Sequence, residues 1–408
     1  MKKLFAVLLA LLLLVPAALA ETPVVRADDG ALYLVTDRLL KLSSDNHLTS
    51  PASGDIHIVG YAEGTLYYVL RMDEDEFGET QSETLLALKD DGSAYVLGEK
   101  RPYYAERSYD EESGVLQLCN TYNGYRDATL YDGSIYFIGD EEVAGTYEAI
   151  WGYEDEKESY ISQYTQCAAV YRMDPKDGSL TKIVGGLGNG AARLSVGEDS
   201  MAVCSCYVNP VYAYDFSDFF IYDLDGNLLK QYENNGQEEG IHDWYYMEDV
   251  AFTAIVVELH WNGERLLVSL GDSEGDFFSS RLVDIEQPDE VLTLEACYTP
   301  SVQTEDGTVF CLSDGSTNVF ARDLYHMTLR RLDAEGTTLL NHLPRTYCDD
   351  YMETRLGVCE NMVYLSFGSD ILRISEDGGT TELLGEDGFT ANALFSMQYY
   401  TPATESEE

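Results

Sequence analysis

A tight turn followed by a short apolar strand recurs seven times along the chain, and no other feature limits the fold as strongly. The copies read Asp29-Gly30-Ala31-Leu32-Tyr33-Leu34, Glu63-Gly64-Thr65-Leu66-Tyr67-Tyr68 and Asp132-Gly133-Ser134-Ile135-Tyr136-Phe137. They continue with Glu198-Asp199-Ser200-Met201-Ala202-Val203, Asn262-Gly263-Glu264-Arg265-Leu266-Leu267, Asp306-Gly307-Thr308-Val309-Phe310-Cys311 and Glu360-Asn361-Met362-Val363-Tyr364-Leu365. Each opens on an acidic or amide residue followed by Gly, Asp or Asn. Those types favour tight turns, because Gly takes positive φ without steric penalty and Asx side chains bond their own backbone.

A second hairpin follows each strand. Leu86 to Gly92 leads into Ala94–Leu97, Val170 to Gly178 into Leu180–Val184, and the same shape returns at Phe220–Gly226, Leu329–Gly336 and Ile371–Gly378. Leu39–Asp45 and Leu282–Asp289 are weaker copies without the glycine. A further strand precedes most of the first turns, as at Val115–Leu118, Arg193–Val196 and Arg355–Val358. Each unit is therefore four short antiparallel strands, and no stretch holds a helical period over three turns. Repeats of about 55 residues match propeller blades, which bury both faces only when arranged around an axis. The sequence predicts an all-β chain forming a β-propeller of seven four-stranded blades, with six or eight also compatible with the count. The first unit (Thr22–Pro51) is short, and the last is expected to borrow a strand from Ala393–Tyr400.

The pattern Gly-x-Leu-Tyr-Tyr … Leu-x-Asp-Asp-Gly, at Gly64–Tyr68 and Leu88–Gly92, resembles repeats of secreted bacterial propellers, including TolB-like proteins and propellers of unknown function. The resemblance spans nearly the whole chain after the leader and implies the fold alone. The Trp-Asp dipeptide of WD40 blades is missing. Ser375-Glu376-Asp377-Gly378-Gly379-Thr380-Thr381 is similar to an Asp-box, but Glu382 stands where that motif has an aromatic residue. No catalytic residues carry over.

Residues 1–20 read as a signal peptide: Met1-Lys2-Lys3, an apolar run from Leu4 to Val15, then Ala18-Leu19-Ala20 at the cleavage site. The propeller is assigned to 21–390, and 391–408 to a closing strand and an acidic disordered tail. With no lipobox cysteine and no wall-sorting motif, the expected location is secreted or extracytoplasmic. No second apolar run reaches the ~20 residues of a membrane span. The chain has 73 acidic against 25 basic residues, a formal charge of −48, which repels the phosphate backbone of nucleic acids. Eight cysteines are scattered without scaffold spacing. Cys204 and Cys206, alternating on one strand, read as small core residues rather than a redox or metal pair.

Strand order places the A–B and C–D turns of every blade on one face and the B–C loops and D-to-A links on the other. The first set is tight. The second includes Arg71–Glu83, Gly98–Ser113, Gly139–Gln166, Tyr207–Asp218, Tyr232–Glu248 and Leu343–Glu353, rich in aromatic and acidic residues. Long loops gathered on a rigid scaffold are where binding groups concentrate. The candidate ligand-binding residues are Tyr103, Tyr104, Trp151, Tyr153, His242, Trp244, Tyr245, Tyr347, Asp349, Asp350 and Tyr351. Rings beside carboxylates suit a carbohydrate or a cationic peptide, and a protein partner fits the same face.

Chemistry is thin. There is no His-Glu-x-x-His, Gly-x-Ser-x-Gly, phosphate loop or Cys-x-x-Cys, so no catalytic residue, metal ligand or cofactor is assigned. Dense carboxylates would attract calcium, yet Asp73-x-Asp75-x-Phe77-Gly78 departs from a calcium loop, with Phe at a ligand position and Thr84 at the twelfth. The expected function is a monomeric secreted binding protein. The alternatives are a carbohydrate-active hydrolase or lyase on the same face, and a scaffold of a surface assembly.

Overall fold

The computed structural model describes residues 23–75, 80–109, 116–151, 158–208, 215–233, 255–271, 277–284, 286, 291–294, 298–304, 306–313, 328–333, 336–342, 355–367 and 369–391. The described residues form strands and turns and no helix, and none is therefore a helix long and apolar enough to cross a membrane.

Seven sheets follow one another along the chain. Blade 1 is β1 (Val24–Arg26), β2 (Leu32–Val35), β3 (Arg38–Leu42) and β4 (Leu48–Ser53). Blade 2 is β5 (Asp55–Ala62), β6 (Thr65–Asp73), β7 (Gln81–Lys89) and β8 (Ala94–Val96), with β9 (Arg101–Pro102) also paired to β7. A hairpin of β10 (Ala105–Tyr109) and β11 (Leu116–Thr121) precedes blade 3, which is β12 (Arg126–Tyr131), β13 (Ser134–Trp151), β14 (Glu158–Met173) and β15 (Leu180–Val184). Blade 4 comprises β16 (Arg193–Gly197), β17 (Ser200–Tyr207), β18 (Asp215–Asp223) and β19 (Leu228–Glu233). Blade 5 comprises β20 (Ile255–Trp261), β21 (Arg265–Gly271), β22 (Phe277–Asp284) and β23 (Val291–Leu294). Blade 6 comprises β24 (Tyr298–Gln303), β25 (Val309–Ser313), β26 (Thr328–Asp333) and β27 (Gly336–His342). Blade 7 has five strands: β28 (Arg355–Cys359), β29 (Met362–Phe367), β30 (Asp370–Ser375), β31 (Thr381–Gly385) and β32 (Gly388–Ala391). The first strands touch in the order β1, β5, β12, β16, β20, β24, β28 and back to β1. The chain is a seven-bladed β-propeller.

The recurrent turns account for the register. Glu63-Gly64 and Asp132-Gly133 have φ of 49°, 74°, 44° and 70°. Positive φ at both central residues is the type I′ hairpin, whose twist matches that of the strands it joins. The following Leu66-Tyr67-Tyr68 and Ile135-Tyr136-Phe137 are buried on both faces, because each blade is covered by a neighbour on either side. Apolar side chains fill the seams accordingly. Tyr33, Val35 and Leu39 of blade 1 meet Ile56, Ile58 and Leu66 of blade 2. Val69 and Leu85 meet Leu130 and Phe137, and Phe310 and Leu329 meet Leu356 and Leu365. Cys204 and Cys206 are fully buried, as their alternation with Ala202 and Val208 suggests.

Two expectations about blade anatomy are corrected. The innermost strand of blade 3 is β12, and Leu116–Leu118 belongs instead to the β10–β11 hairpin, with Val115 outside the described residues. Of the expected loop Gly139–Gln166, residues 139–151 and 158–166 are strand, and 152–157 lie outside the described residues. Here β13 and β14 run on together through Asp140↔Ala168 to Trp151↔Glu158, across a bulge between Glu142 and Gly145. Their extension carries β11 alongside, parallel, at Leu118↔Gln163. Alternating Val143, Thr146 and Ile150 with Ile161 and Thr165 supply enough β-formers to keep the ladder going. Blade 1 is also complete in itself, and β32 adds to the outer edge of blade 7 at Glu382↔Ala391. Residues 393–400 lie outside the described residues.

Candidate functional site

Each first strand runs into a tight turn, so the leading residues of the seven first strands lie together at the opposite end of the ring. Four of them are charged: Asp55 opens β5, Arg126 opens β12, Arg193 opens β16 and Arg355 opens β28. Arg71, near the end of β6, and Glu83, near the start of β7, arrive at the same level from blade 2. Arg71, Glu83, Arg126 and Arg193, together with His57, Tyr103 and Tyr125, line a cleft between blades 2, 3 and 4, and Asp55 and Arg355 join it through Arg71. About 20 Å³ is left there for the centre of a water-sized group, room for one or two waters or the head of one small polar group.

The cleft is built on a buried carboxylate. Glu83 has a side chain 2 % exposed and takes Arg71 Nε at 3.0 Å and Nη2 at 2.8 Å on one oxygen. Its other oxygen accepts the main-chain N–H of Tyr125 at 2.7 Å. That approach needs Gly124, which has φ of 60° and where a Cβ would lie 2.6 Å from Glu83 Oε2. Arg71 also reaches Asp55 Oδ2 at 3.2 Å, so its donors face two carboxylates. Burial works against its charge, but Tyr103, Glu83 and Asp55 outweigh that and raise its pKa further.

Asp55 is shared. His57 Nε2 stands 3.2 Å from it, and Arg355 Nη2, from blade 7, bonds it at 3.0 Å. Burial alone would raise its pKa, yet His57, Arg71 and Arg355 together hold the carboxyl well below the usual carboxylate range. On the opposite wall Asp127, in the left-handed region at φ 52°, bonds Arg193 Nη1 at 3.1 Å and the main-chain N–H of Leu194 at 2.9 Å. Arg193 Nε continues to the carbonyl of Val256 at 3.2 Å, tying blade 4 to blade 5.

Tyr103 carries two guanidinium groups against its ring, Arg71 at 4.0 Å and Arg126 at 4.8 Å from the centroid. Arg126 is placed by Asn123, whose Oδ1 takes its Nε at 3.0 Å. Asn123 is in turn held by Asp140: its main-chain N–H lies 3.0 and 2.9 Å from the two carboxylate oxygens, and Nδ2 donates at 2.9 Å. Burial raises the pKa of Asp140 to about 6 against those bonds and against the charge of Arg126. Behind this layer Arg101 lies 5.2, 5.3 and 5.5 Å from the rings of Tyr125, Phe137 and Tyr171.

Of the residues expected from sequence, Tyr103 lines this cleft, and the neighbouring Tyr104 packs against Tyr122 with the rings tilted at 37° and their centroids 4.8 Å apart. Trp151 ends β13, at the far end of the long hairpin, and only its backbone is described. Tyr153, His242, Trp244, Tyr245, Tyr347, Asp349, Asp350 and Tyr351 lie outside the described residues. The arginines were missed. Their trace in the sequence is positional: Arg126, Arg193 and Arg355 each begin an innermost strand, in a chain with nearly three acids for every base. Among the described residues no group of three His, Cys, Asp or Glu could hold a metal ion.

No family model matches the chain, and no curated protein matches it. Solved structures do. The chain resembles TolB from Acinetobacter baumannii at 11 % identity and a TM-score of 0.35, covering 79 % of this chain and 62 % of that one. It resembles the β-propeller domain of the trilobed protease from Pyrococcus furiosus, described as having an open velcro topology, at 9 % identity and a TM-score of 0.42, over 96 % and 99 % of the two chains. A puromycin hydrolase matches at 12 % identity and a TM-score of 0.46, over 92 % of this chain but 54 % of its own. These likenesses concern the fold: the resemblance to TolB-like propellers holds at that level.

Proposed function

We propose that this chain is an exported binding protein that receives a ligand or partner on its loop-rich face, at the channel mouth beside Tyr103. One observation supports this reading above the rest. A chain of charge −48 gathers Arg71, Arg126 and Arg193 around aromatic rings and an open cleft, with Arg355 linked to Arg71 through Asp55. Convergent polar groups in a concave site on a rigid scaffold are the usual form of a binding site. The extended β13–β14 hairpin and its β11 neighbour rise from the same face beside the cleft. Export rests on the leader at residues 1–20.

The cleft's carboxylates favour binding over glycoside hydrolysis. Glu83, Asp55 and Asp127 are each bonded to an arginine, so their oxygens are engaged within the protein, whereas a glycosidase pair must present both carboxyl groups to the substrate. Thermal unfolding of the protein against oligosaccharides, peptides of either charge and divalent metals is the test. A ligand at 100 times its dissociation constant adds about 2.7 kcal/mol. A stabilising ligand whose effect is lost in Tyr103→Ala supports the reading. Ligands that stabilise Tyr103→Ala as well as the parent would move the site elsewhere, and a wholly silent panel would favour a scaffold.

A further inference from the structure

We propose that the cleft is a carboxylate-binding site, in which the end of the Arg126 guanidinium takes the ligand's carboxylate against the ring of Tyr103. This rests on the binding reading above and names the chemistry it serves.

The cations of the mouth are not equivalent. Arg71 is used up on Glu83 and Asp55, Arg355 on Asp55 and the carbonyl of Ile56, and Arg193 on Asp127 and Val256. Arg126 differs. Its guanidinium makes a single hydrogen bond among the described residues, from Nε to Asn123, which leaves both Nη groups without a partner there in a residue that lines the cleft. Two parallel N–H groups in one plane match the two oxygens of a carboxylate.

Three features prepare that donor pair. Asn123 is bonded three times by Asp140, which fixes the Nε end of the guanidinium, and the guanidinium packs against the Tyr103 ring. The space is limited to the head of one small group. The walls around it are the apolar Ile58, Val59, Val69 and Ala128 with the rings of Tyr103 and Tyr125, which suit a carboxylate carried on an apolar or ring-shaped body.

Charge selects a carboxylate over a phosphate. Glu83 and Asp127 also line the cleft, and the chain as a whole is strongly acidic. A dianion meets that repulsion twice, whereas a monoanion with one planar head meets it once and still fills both Nη groups.

The test uses N-acetylphenylalanine, a peptide-like carboxylate, and glucuronate, a sugar carboxylate, each beside its primary amide, with phenyl phosphate as the dianion. Binding to the full protein is followed by calorimetry at low salt. The acid of at least one pair is expected to bind about tenfold more tightly than its amide and more tightly than phenyl phosphate, with the preference shrinking as salt is added. Which pair responds tells a peptide from a sugar source. Arg126→Gln should bring the acid down to the affinity of its amide, and Arg126→Lys, which keeps the charge but not the fork, should fall between. Near-ultraviolet circular dichroism checks that both variants keep the parent fold.

Equal binding of acid and amide overturns the proposal, as does an acid preference that survives Arg126→Gln. If no carboxylate binds while another ligand still stabilises the protein through Tyr103, the carboxylate proposal fails and the binding reading stands. If no ligand of any class acts through Tyr103, the binding reading itself fails.

Discussion

Arg355 bonds Asp55 across 300 residues of sequence, Nη2 to Oδ1 at 3.0 Å, and so joins blade 7 to blade 2 past the three-residue inner strand of blade 1. Many rings of blades are closed by a strand from one terminus completing the sheet of the other. Here blades 1 and 7 each hold their own strands, and the described residues share none between them. Side chains make the closure instead. Ser366 Oγ donates to the carbonyl of Val35 at 2.8 Å, and Tyr364, Ile371 and Phe389 pack on Val24, Leu34 and Leu42.

Cutting that closure should loosen the ring without altering any blade. Asp55 is partly exposed, so solvent screening reduces the effect. Asp55→Asn should lose about 1–2 kcal/mol at neutral pH, and Tyr364→Ala about 3–5 kcal/mol. The Asp55 carboxyl is held below its usual range, so its contribution is fully present above about pH 4, the unfolded value. It is lost only as the pH falls through the lower folded value. Urea unfolding at several pH values checks this; a variant as stable as the parent at pH 7 would mean that the seam is apolar alone.

Asp140 should act with the opposite sign. Its folded pKa of about 6 exceeds the unfolded value, so the native state binds the extra proton. Stability from this group therefore falls as the pH rises from about 4 to about 6, by up to about 3 kcal/mol. The charged neighbour is Arg126, with the hydroxyls of Tyr122 and Tyr171 nearby. Asp140→Asn should flatten the stability profile in that window. An unchanged slope would assign it to other carboxylates.

The seven units were legible because each repeats the same local instruction, an Asx- or Glu-led turn and then three or four apolar residues, and the fold needs no more than that to set its register. Blade 3 was harder. Val115–Leu118 and the Arg126–Tyr131 segment both read as half-buried strands, and only pairing decides which lies inside. The long β13–β14 ladder was hidden by its polar and acidic composition, which resembles a loop although its alternating Val, Ile, Thr and Tyr residues permit a strand. The site divides in the same way. Tyr103 could be found because aromatic residues on a link stand out. Arg126 could not, since its role depends on Asn123, Asp140 and Tyr103 meeting around it, and on its neighbours being spent on other partners.

Gln303 offers a test of burial without partners. It is fully buried on β24, and neither its Nε2 nor its Oε1 has a hydrogen-bond partner among the described residues. An unsatisfied buried polar group costs about 1–3 kcal/mol. Gln303→Leu, of similar size, should leave the protein as stable or raise its unfolding midpoint in calorimetry. A clear loss would mean that the amide holds ordered water in the seam.

Glu83 should be the least replaceable residue of the cleft. It is buried, its Oε1 takes two donors of Arg71, and its Oε2 takes the Tyr125 N–H on which the approach to β12 turns. Removing one partner of a buried pair leaves the other uncompensated, at about 3–5 kcal/mol, so Glu83→Ala should lose stability on that scale. Glu83→Gln keeps an acceptor for Tyr125 and should lose less. Gly124→Ala must suffer as well, because a Cβ at φ 60° would press on Oε2. The discriminating measurement is a double-mutant cycle of Glu83→Gln with Arg71→Met. Residues in one buried network couple by about 0.5–3 kcal/mol, and a coupling near zero would show that Arg71 relies on Asp55 and Tyr103 instead.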